Sequence, residues 1–396
     1  MTWIAEKITN AYPIFSVSDE NALLDVLLES VYGYRFPADL SQDEIQKLRR
    51  RLLAAAFDLM VAAEYYRAVG HLRWVYCPIP GSEPMAYYPY TSLCPRCVLD
   101  GKFYFHQANK PSSGSIGATT SRLLGVFMKA LFERHGRKIE ILRGSEPVDS
   151  IFLDKSTEPH VYLFAEVKSA PLVTLPLAMT TERLTFEEDQ AAVSLQTHKE
   201  VTMINLYKTS TSIFVPIESP NMPSGWVSKN FPIGNKEDEK DSAWAYRGLT
   251  NLLKSDPSFF QDYSKFWLAA FDAYGALAKL RPVFWFTNAC GQPSPRPADW
   301  PKRSRGDGHE SISDSKTSVG MDRTDDIKKS IYQVLKLGAE GKPSQDTKYL
   351  VGIVSNIHAV RHFDEYLTAL KDIVWTRDET GKVIQASQLP PDTALF

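Results

Sequence analysis

The sequence predicts an α/β fold with helical and irregular additions, and three observations carry that expectation. Residues Ser115 to Gly136 form one strongly amphipathic stretch, with Leu123, Leu124, Val126, Phe127, Leu131 and Phe132 at helical spacing. Three strand-like runs follow it at once: Lys138 to Leu142, Val148 to Leu153 and His160 to Val167. Far downstream the alternation returns, as a helix from Thr324 to Leu337, a strand from Tyr349 to Val354 and a helix from Val360 to Val374. No internal repeat is visible.

Residues 1–70 read as a helical N-terminal region. Ser18 to Tyr34 places Leu23, Leu24, Val26, Leu27 and Val31 on one face. Ser41 opens a second helix, with Glu44 in capping-box position, running through Leu48, Leu52, Leu53, Phe57 and Met60 to about Val69 and ending at Gly70. Its basic cluster, Lys47, Arg49, Arg50 and Arg51, is either a solvated helix face or a contact for DNA phosphates. Residues 71–114, rich in Pro, Tyr and Cys, are expected to be irregular structure around a metal. Residues 115–172 hold the helix and strands named above. In 173–310 we expect strands at Val201 to Tyr207 and Ser212 to Ile217, helices within Asp241 to Leu280, and a strand at Pro282 to Thr287. A polar surface loop, Gln292 to Glu310, follows. Residues 311–396 begin with a polar strand, Ile312 to Thr317, and continue into the second helix and strand alternation.

Composition narrows the function classes. The 396 residues are 43% hydrophobic and 23% charged, as in an ordinary soluble protein. Lys and Arg total 45 against 47 for Asp and Glu, a formal charge of −2. That excludes a uniformly basic nucleic-acid coat but leaves a local basic cleft open. No run of about 18 apolar residues occurs. Met1 to Asn10 carries Glu6 and Lys7 and lacks a signal-peptide core, so a cytoplasmic chain is expected.

Four cysteines are too few for a disulfide framework. Cys94-Pro95-Arg96-Cys97 has the spacing of a zinc knuckle. Cys77 upstream and His106 downstream would complete a tetrahedral Cys₃His site for structural Zn²⁺, with Cys290 as an alternative fourth ligand. A redox dithiol is disfavoured because no thioredoxin-like βαβ pattern surrounds the pair. Free thiols are the plain alternative.

The strongest chemical signal lies between Pro147 and Lys168. Val161 to Ala165 is a continuous apolar run, as in the centre of a sheet, and it ends on Glu166-Val167-Lys168. Strand periodicity puts Glu166 and Lys168 on one face. Charges leaving a buried strand are costly unless paired or bound to metal. A hairpin through Lys155 to Pro159 would bring Asp149 beside Glu166. Two carboxylates and the Val167 carbonyl make a hard-oxygen site suited to Mg²⁺. Lys168 would serve the attacking water and offset phosphate charge. The bland alternative is an edge-strand ion pair between Glu166 and Lys168.

Asp149 followed by Glu166-Val167-Lys168 resembles the PD-(D/E)xK nuclease motif, with Val148-Asp149 in place of Pro-Asp. The preceding helix and the hairpin order match that family's core, and the entry Lys110-Pro111-Ser112-Ser113-Gly114-Ser115 and the run from Glu166 to Leu172 look like type II restriction endonucleases. The resemblance covers residues 115–172 and extends to 311–374, with 173–310 as an insertion. It implies a mixed central sheet flanked by helices, Asp149, Glu166 and Lys168 as catalytic residues, and Lys110, Ser112 and Ser113 at DNA. It also implies double-stranded DNA as substrate, a homodimer on a palindromic site and a companion methyltransferase. Many family members carry a further carboxylate on the helix. Here only Glu133, near its C-terminal end, and Glu146 nearby are candidates.

A rival Asp-x-Lys stands at Asp314-Ser315-Lys316, but no Asp-bearing strand lies a hairpin away from it. Arg303, Arg305, Asp307, Gly308, His309, Lys316, Thr317, Arg323 and Thr324 mix donors and acceptors suited to base edges. They form either a recognition loop or an ordinary surface loop. Gln292, Arg296 and Trp300 are further candidates. The expectation is therefore a site-specific, Mg²⁺-dependent deoxyribonuclease. The alternatives are a non-catalytic zinc-containing DNA-binding protein, or a repair or RNA-directed nuclease on the same core.

Overall fold

A computed structural model of the chain describes residues 3–77, 84–106, 108–180, 200–201, 206–207, 209–289, 291, 293, 319–341, 348–368, 370, 375–377 and 383–385. In chain order the elements begin with α1 (Trp3–Ile8), β1 (Tyr12–Pro13), α2 (Ser18–Tyr32) and α3 (Gln42–Arg67). Next come β2 (Trp74–Cys77), β3 (Met85–Tyr88), α4 (Pro95–Leu99) and α5 (Ser113–Arg134). Strands β4 (Ile139–Arg143), β5 (Ser150–Asp154), β6 (Val161–Val167), β7 (Leu177–Thr180), β8 (Glu200–Val201), β9 (Thr211–Glu218) and β10 (Trp226–Gly234) follow. The chain continues through α6 (Trp244–Ser255), α7 (Pro257–Gly275), α8 (Thr324–Glu340), β11 (Lys348–Val354), α9 (Phe363–Tyr366), β12 (Trp375–Arg377) and β13 (Val383–Gln385). The fold is mixed α/β, with two large sheets and helices.

These elements form two units. The first gathers residues 1–17, 112–171 and 318–396; the second gathers 18–111 and 172–317. The division differs from the expected segments. Residues 1–17 leave the N-terminal helical region for the first unit, while 18–70, 71–111 and the insertion make one second unit.

In the first unit the sheet order is β1-β4-β5-β6-β11. Strands β4, β5 and β6 run as an antiparallel meander, and β11 pairs parallel to β6 from Lys348↔Val161 to Val354↔Val167. Alternate strand residues point to opposite faces. One face carries Val148, Ile151 and Phe164, which bury against Ile4 of α1 and Leu337 of α8. The Trp3 ring meets Phe164 edge-on at 5.1 Å. On the other face α5 lies over Ile141; a methyl on its Gly125 would touch the Ile141 side chain at 3.5 Å. Order along the chain is thus helix, three strands, helix, strand.

In the second unit the strand order β10-β9-β7-β3-β2-β8 is antiparallel throughout. Aromatic rings seal it: Phe231 of β10 meets Phe259 of α7 at 4.9 Å, and Phe214 of β9 stacks on Phe286 at 6.1 Å. Helix α3 begins with the full capping box, Ser41 Oγ accepting from the Glu44 N–H and Glu44 accepting from the Ser41 N–H. Its Asp58 is fully buried in an otherwise apolar stretch. Oδ2 accepts from the Trp267 Nε1–H at 2.7 Å and from the Val173 N–H at 2.9 Å, while Oδ1 has no hydrogen-bond partner. Among the described residues no helix is long and apolar enough to cross a membrane.

Several local expectations are corrected. Pro282–Phe286 is a 3₁₀ helix, not a strand. Proline fixes φ at its first position, and Thr287 closes it by donating both N–H and Oγ1–H to the Phe284 carbonyl. The last helix shrinks to α9, because Asp322 Oδ1 accepts from the N–H groups of both Arg361 and His362 and holds that stretch out of helix; residues 371–374 lie outside the described ones. Residues 71–114 hold two strands and a short helix rather than irregular chain alone. Val201–Tyr207 is strand only at Glu200–Val201, turns at Leu206 and Tyr207, and lies outside the described residues between them. Strands β7 and β10 were not anticipated. The Ile312–Thr317 strand lies outside the described residues, as does the Gln292–Glu310 loop except Pro293.

Candidate active site and metal centre

The carboxylate site is built by the register of one hairpin. Strand β5 begins at Ser150, so Asp149 stands one residue before it rather than inside it. Ser150 pairs with Ala165 as the last rung of that register, and Asp149 stands just past it. The Asp149 N–H donates to the Ala165 carbonyl at 3.1 Å, and Asp149 Oδ2 accepts from the Val167 N–H at 2.8 Å. The two carboxyl groups meet side chain to side chain. Glu166 is 6% exposed, whereas Asp149 is exposed. Lys168 Nζ donates to Glu166 Oε1 at 2.5 Å. Burial raises the Glu166 pKa; the Lys168 hydrogen bond pulls it down, the Asp149 charge pushes it up, and the net direction is upward. Peptide groups of one strand residue point to the same side, so the Val167 carbonyl faces the Asp149 side with its N–H. Asp149, Glu166, Val167 and Lys168 are thus together, as a cluster of oxygens beside one ammonium.

Glu133 does not join them. It pairs with the Lys129 ammonium on its own helix, beside Lys138 and Lys155 at the opposite end of β5. Antiparallel packing of α5 on the strands puts its C-terminal end there. The N-terminal half of the helix supplies Thr120 instead, buried, with Oγ1 at 2.8 Å from the Ser169 carbonyl and accepting from Ser169 Oγ at 3.0 Å. Glu146 lies exposed in the turn before Asp149.

Other candidates have structural roles. Ser112 caps α5, its Oγ accepting from the Ser115 N–H at 3.3 Å, and Ser113 is the first, exposed residue of that helix. Lys110 is half-buried at the end of the second unit's first segment. Arg323 precedes α8 and pairs with Asp326 at 3.3 Å. Arg49 lies over the Tyr32 and Phe36 rings at 5.6 Å, and Arg51 pairs with Asp272 at 3.3 Å. Two of the four residues of the basic cluster on α3 are thereby held within the second unit. Gln292, Arg296, Trp300, Arg303, Arg305, Asp307, Gly308, His309, Asp314, Ser315, Lys316 and Thr317 lie outside the described residues.

The cysteine centre belongs to the second unit. Cys77 ends β2, Cys94 caps the short helix α4 with Pro95 at its first position, and Cys97 lies inside it. The knuckle is held by Cys94 N–H to the Tyr104 carbonyl and Lys102 N–H to the Cys97 carbonyl, and Gly101 turns out with φ +70°. The three sulfurs lie within 4.8 Å of one another, and Cys77 Sγ to Cys97 Sγ is 3.7 Å. A tetrahedron with Zn–S bonds of about 2.3 Å has edges of about 3.8 Å, so the arrangement can hold a metal ion such as zinc. Burial raises the Cys94 thiol well above its ordinary value, and the Cys77 hydrogen bond leads the causes that push Cys97 up to about 12. A bound cation would favour the thiolates. The Cys₃His set is corrected, because His106 is not in the cluster. Its N–H bonds the Ser92 carbonyl, two residues along from the Cys94–Tyr104 rung. Cys290 lies outside the described residues.

Asp58, Thr120 and Asn356, whose carboxamide bonds both backbone groups of Ala170, escaped the sequence. Asp58 left one usable signal, an acid in the middle of an apolar helix face. No known protein family, curated protein or solved structure matches this chain.

Proposed function

We propose that the chain is a Mg²⁺-dependent nuclease that cuts double-stranded DNA at a specific short sequence, on a restriction-endonuclease-like core of the PD-(D/E)xK type. The cross-strand pair Asp149 and Glu166, with Lys168 bonded to the buried Glu166, carries this reading. The order helix, three strands, helix and a last strand parallel to the catalytic one supports it. The donor set fits the ion: two carboxylates and the Val167 carbonyl are hard oxygens, and the close carboxyl pair would gain from a cation between them. Mg²⁺, when bound, supplies Lewis-acid stabilisation of the charge that builds on a phosphodiester.

The chain's own groups do the rest. Asp149 and Glu166 hold the site open to DNA at the end of β6. Lys168 orients the attacking water and offsets phosphate charge. Water adds in line to phosphorus and the bond to the 3′ oxygen breaks, leaving 5′-phosphate and 3′-hydroxyl ends. A homodimer on a palindromic site and a companion methyltransferase complete the restriction reading. The cysteine centre is read as structural Zn²⁺, clamping β2 to the α4 knuckle.

Incubation of plasmid DNA with the protein and Mg²⁺ tests the proposal. Discrete fragments that disappear with Lys168→Ala support it. DNA binding without cutting under a series of divalent metals refutes it and favours a zinc-bearing DNA-binding protein. Cleavage of RNA or of damaged DNA alone favours the other nuclease classes.

A further inference from the structure

We propose that Asn356 is a positioning residue for Lys168; the proposal rests on the nuclease reading above for its activity arm alone. Main-chain pairing of β6 with β11 ends where the Lys168 N–H donates to the Val354 carbonyl at 3.0 Å. Past that point the second strand turns away, with Ser355 Oγ bonded to both the carbonyl and the N–H of Ile357. Beyond the end of β6 the chain runs on through Ser169 and Ala170 with no main-chain hydrogen bond to the other strand. Asn356 supplies a partner there. Its Oδ1 accepts from the Ala170 N–H at 3.1 Å and its Nδ2 donates to the Ala170 carbonyl at 2.8 Å.

One carboxamide thus replaces a full rung of the ladder and satisfies both backbone groups of a single residue. Across the same segment Thr120 holds Ser169. The two residues that follow Lys168, Ser169 and Ala170, are therefore fixed from two sides, by α5 and by the turn after β11. Lys168 needs such support. Its ammonium is aimed at Glu166 by a long flexible stem, and a stem rooted in loose backbone does not hold a fixed direction. A misplacement of about 1 Å at a reacting group costs roughly 100-fold in rate.

The test uses the full-length protein with Asn356→Ala and the near-isosteric Asn356→Asp. The aspartate keeps an acceptor for the Ala170 N–H but cannot donate to its carbonyl. Single-turnover cleavage with Mg²⁺ and DNA affinity in Ca²⁺ are measured beside wild type and Lys168→Ala. In parallel, a brief acetic anhydride pulse followed by mass spectrometry reads how fast each lysine amine is labelled. The expected result is a cleavage rate lowered by up to about 100-fold with DNA affinity kept. Labelling should rise several-fold at Lys168 alone. Wild-type cleavage with wild-type labelling of Lys168 overturns the proposal. So does a rise at all lysines together, which marks a loosened fold rather than a misdirected side chain. If wild type does not cut DNA, the nuclease reading fails, and Lys168 labelling alone still decides whether Asn356 positions it.

Discussion

The buried carboxyl of Asp58 should make stability fall as pH rises, and the structure sets the size of the effect. Burial pushes this group up to about 8, with the Trp267 and Val173 hydrogen bonds acting in the other direction. In the unfolded chain it titrates near 3.9. Between those values the folded protein keeps a proton that the unfolded chain releases. Unfolding therefore becomes easier as pH rises, by about 1.4 kcal/mol per pH unit, and the effect levels off above about pH 8. Asp58→Asn is close in shape to the protonated acid and keeps an acceptor for both donors, but does not ionise. Urea unfolding of the two proteins from pH 5 to 8 isolates the group, because all other titrations cancel in the difference. The variant should already lead wild type by about 1.5 kcal/mol at pH 5 and gain on it by about 1.4 kcal/mol per unit through pH 7. An unchanging difference over that range would show that Asp58 is already ionised in the fold, and the argument would be wrong.

Other perturbations have defined outcomes. Cys94→Ser should strip the purified protein of its metal, read by elemental analysis as a fall from about one zinc per chain; unchanged zinc content refutes the centre. Gly144→Ala would drive a methyl carbon into the Val148 carbonyl oxygen, in the turn that delivers Asp149. Opening that turn should cost about 1–3 kcal/mol in urea unfolding and slow DNA cleavage out of proportion to any loss of DNA binding. Ser41→Ala removes the α3 capping box and should lower stability by about 1 kcal/mol without touching cleavage. Trp267→Phe leaves Asp58 one donor short, with an expected loss of about 1–3 kcal/mol in the same assay.

Local periodicity made much of the first unit legible. The amphipathic face of α5, the three strands after it and the pair α8 and β11 all repeat at short range, so their kind and order follow from the residues. The juxtaposition of Asp149 and Glu166 was legible for the same reason, since a hairpin register couples residues only 17 apart in sequence. The run Pro282 to Phe286 misled because a short apolar stretch suits a strand and a buried 3₁₀ turn equally. His106 misled because metal spacing counts residues, whereas the ligand must also sit on the right rung. Asp58, Thr120 and Asn356 were out of reach on different grounds. Their roles are defined by groups 49 to 209 residues away, so no local pattern marks them.

The long detour between β6 and its parallel partner has a consequence for how the protein is made. Ala170 and Asn356 are 186 residues apart. At about 5–20 residues per second, a ribosome needs roughly 10–40 seconds to travel that distance. Throughout that interval Glu166 and Lys168 exist on a strand whose outer edge has no neighbour. Whatever chemistry this cluster performs with β11 beside it must await the synthesis of β11. On the nuclease reading proposed above, a chain not yet synthesised as far as β11 would lack both the strand and the Asn356 carboxamide that border its lysine.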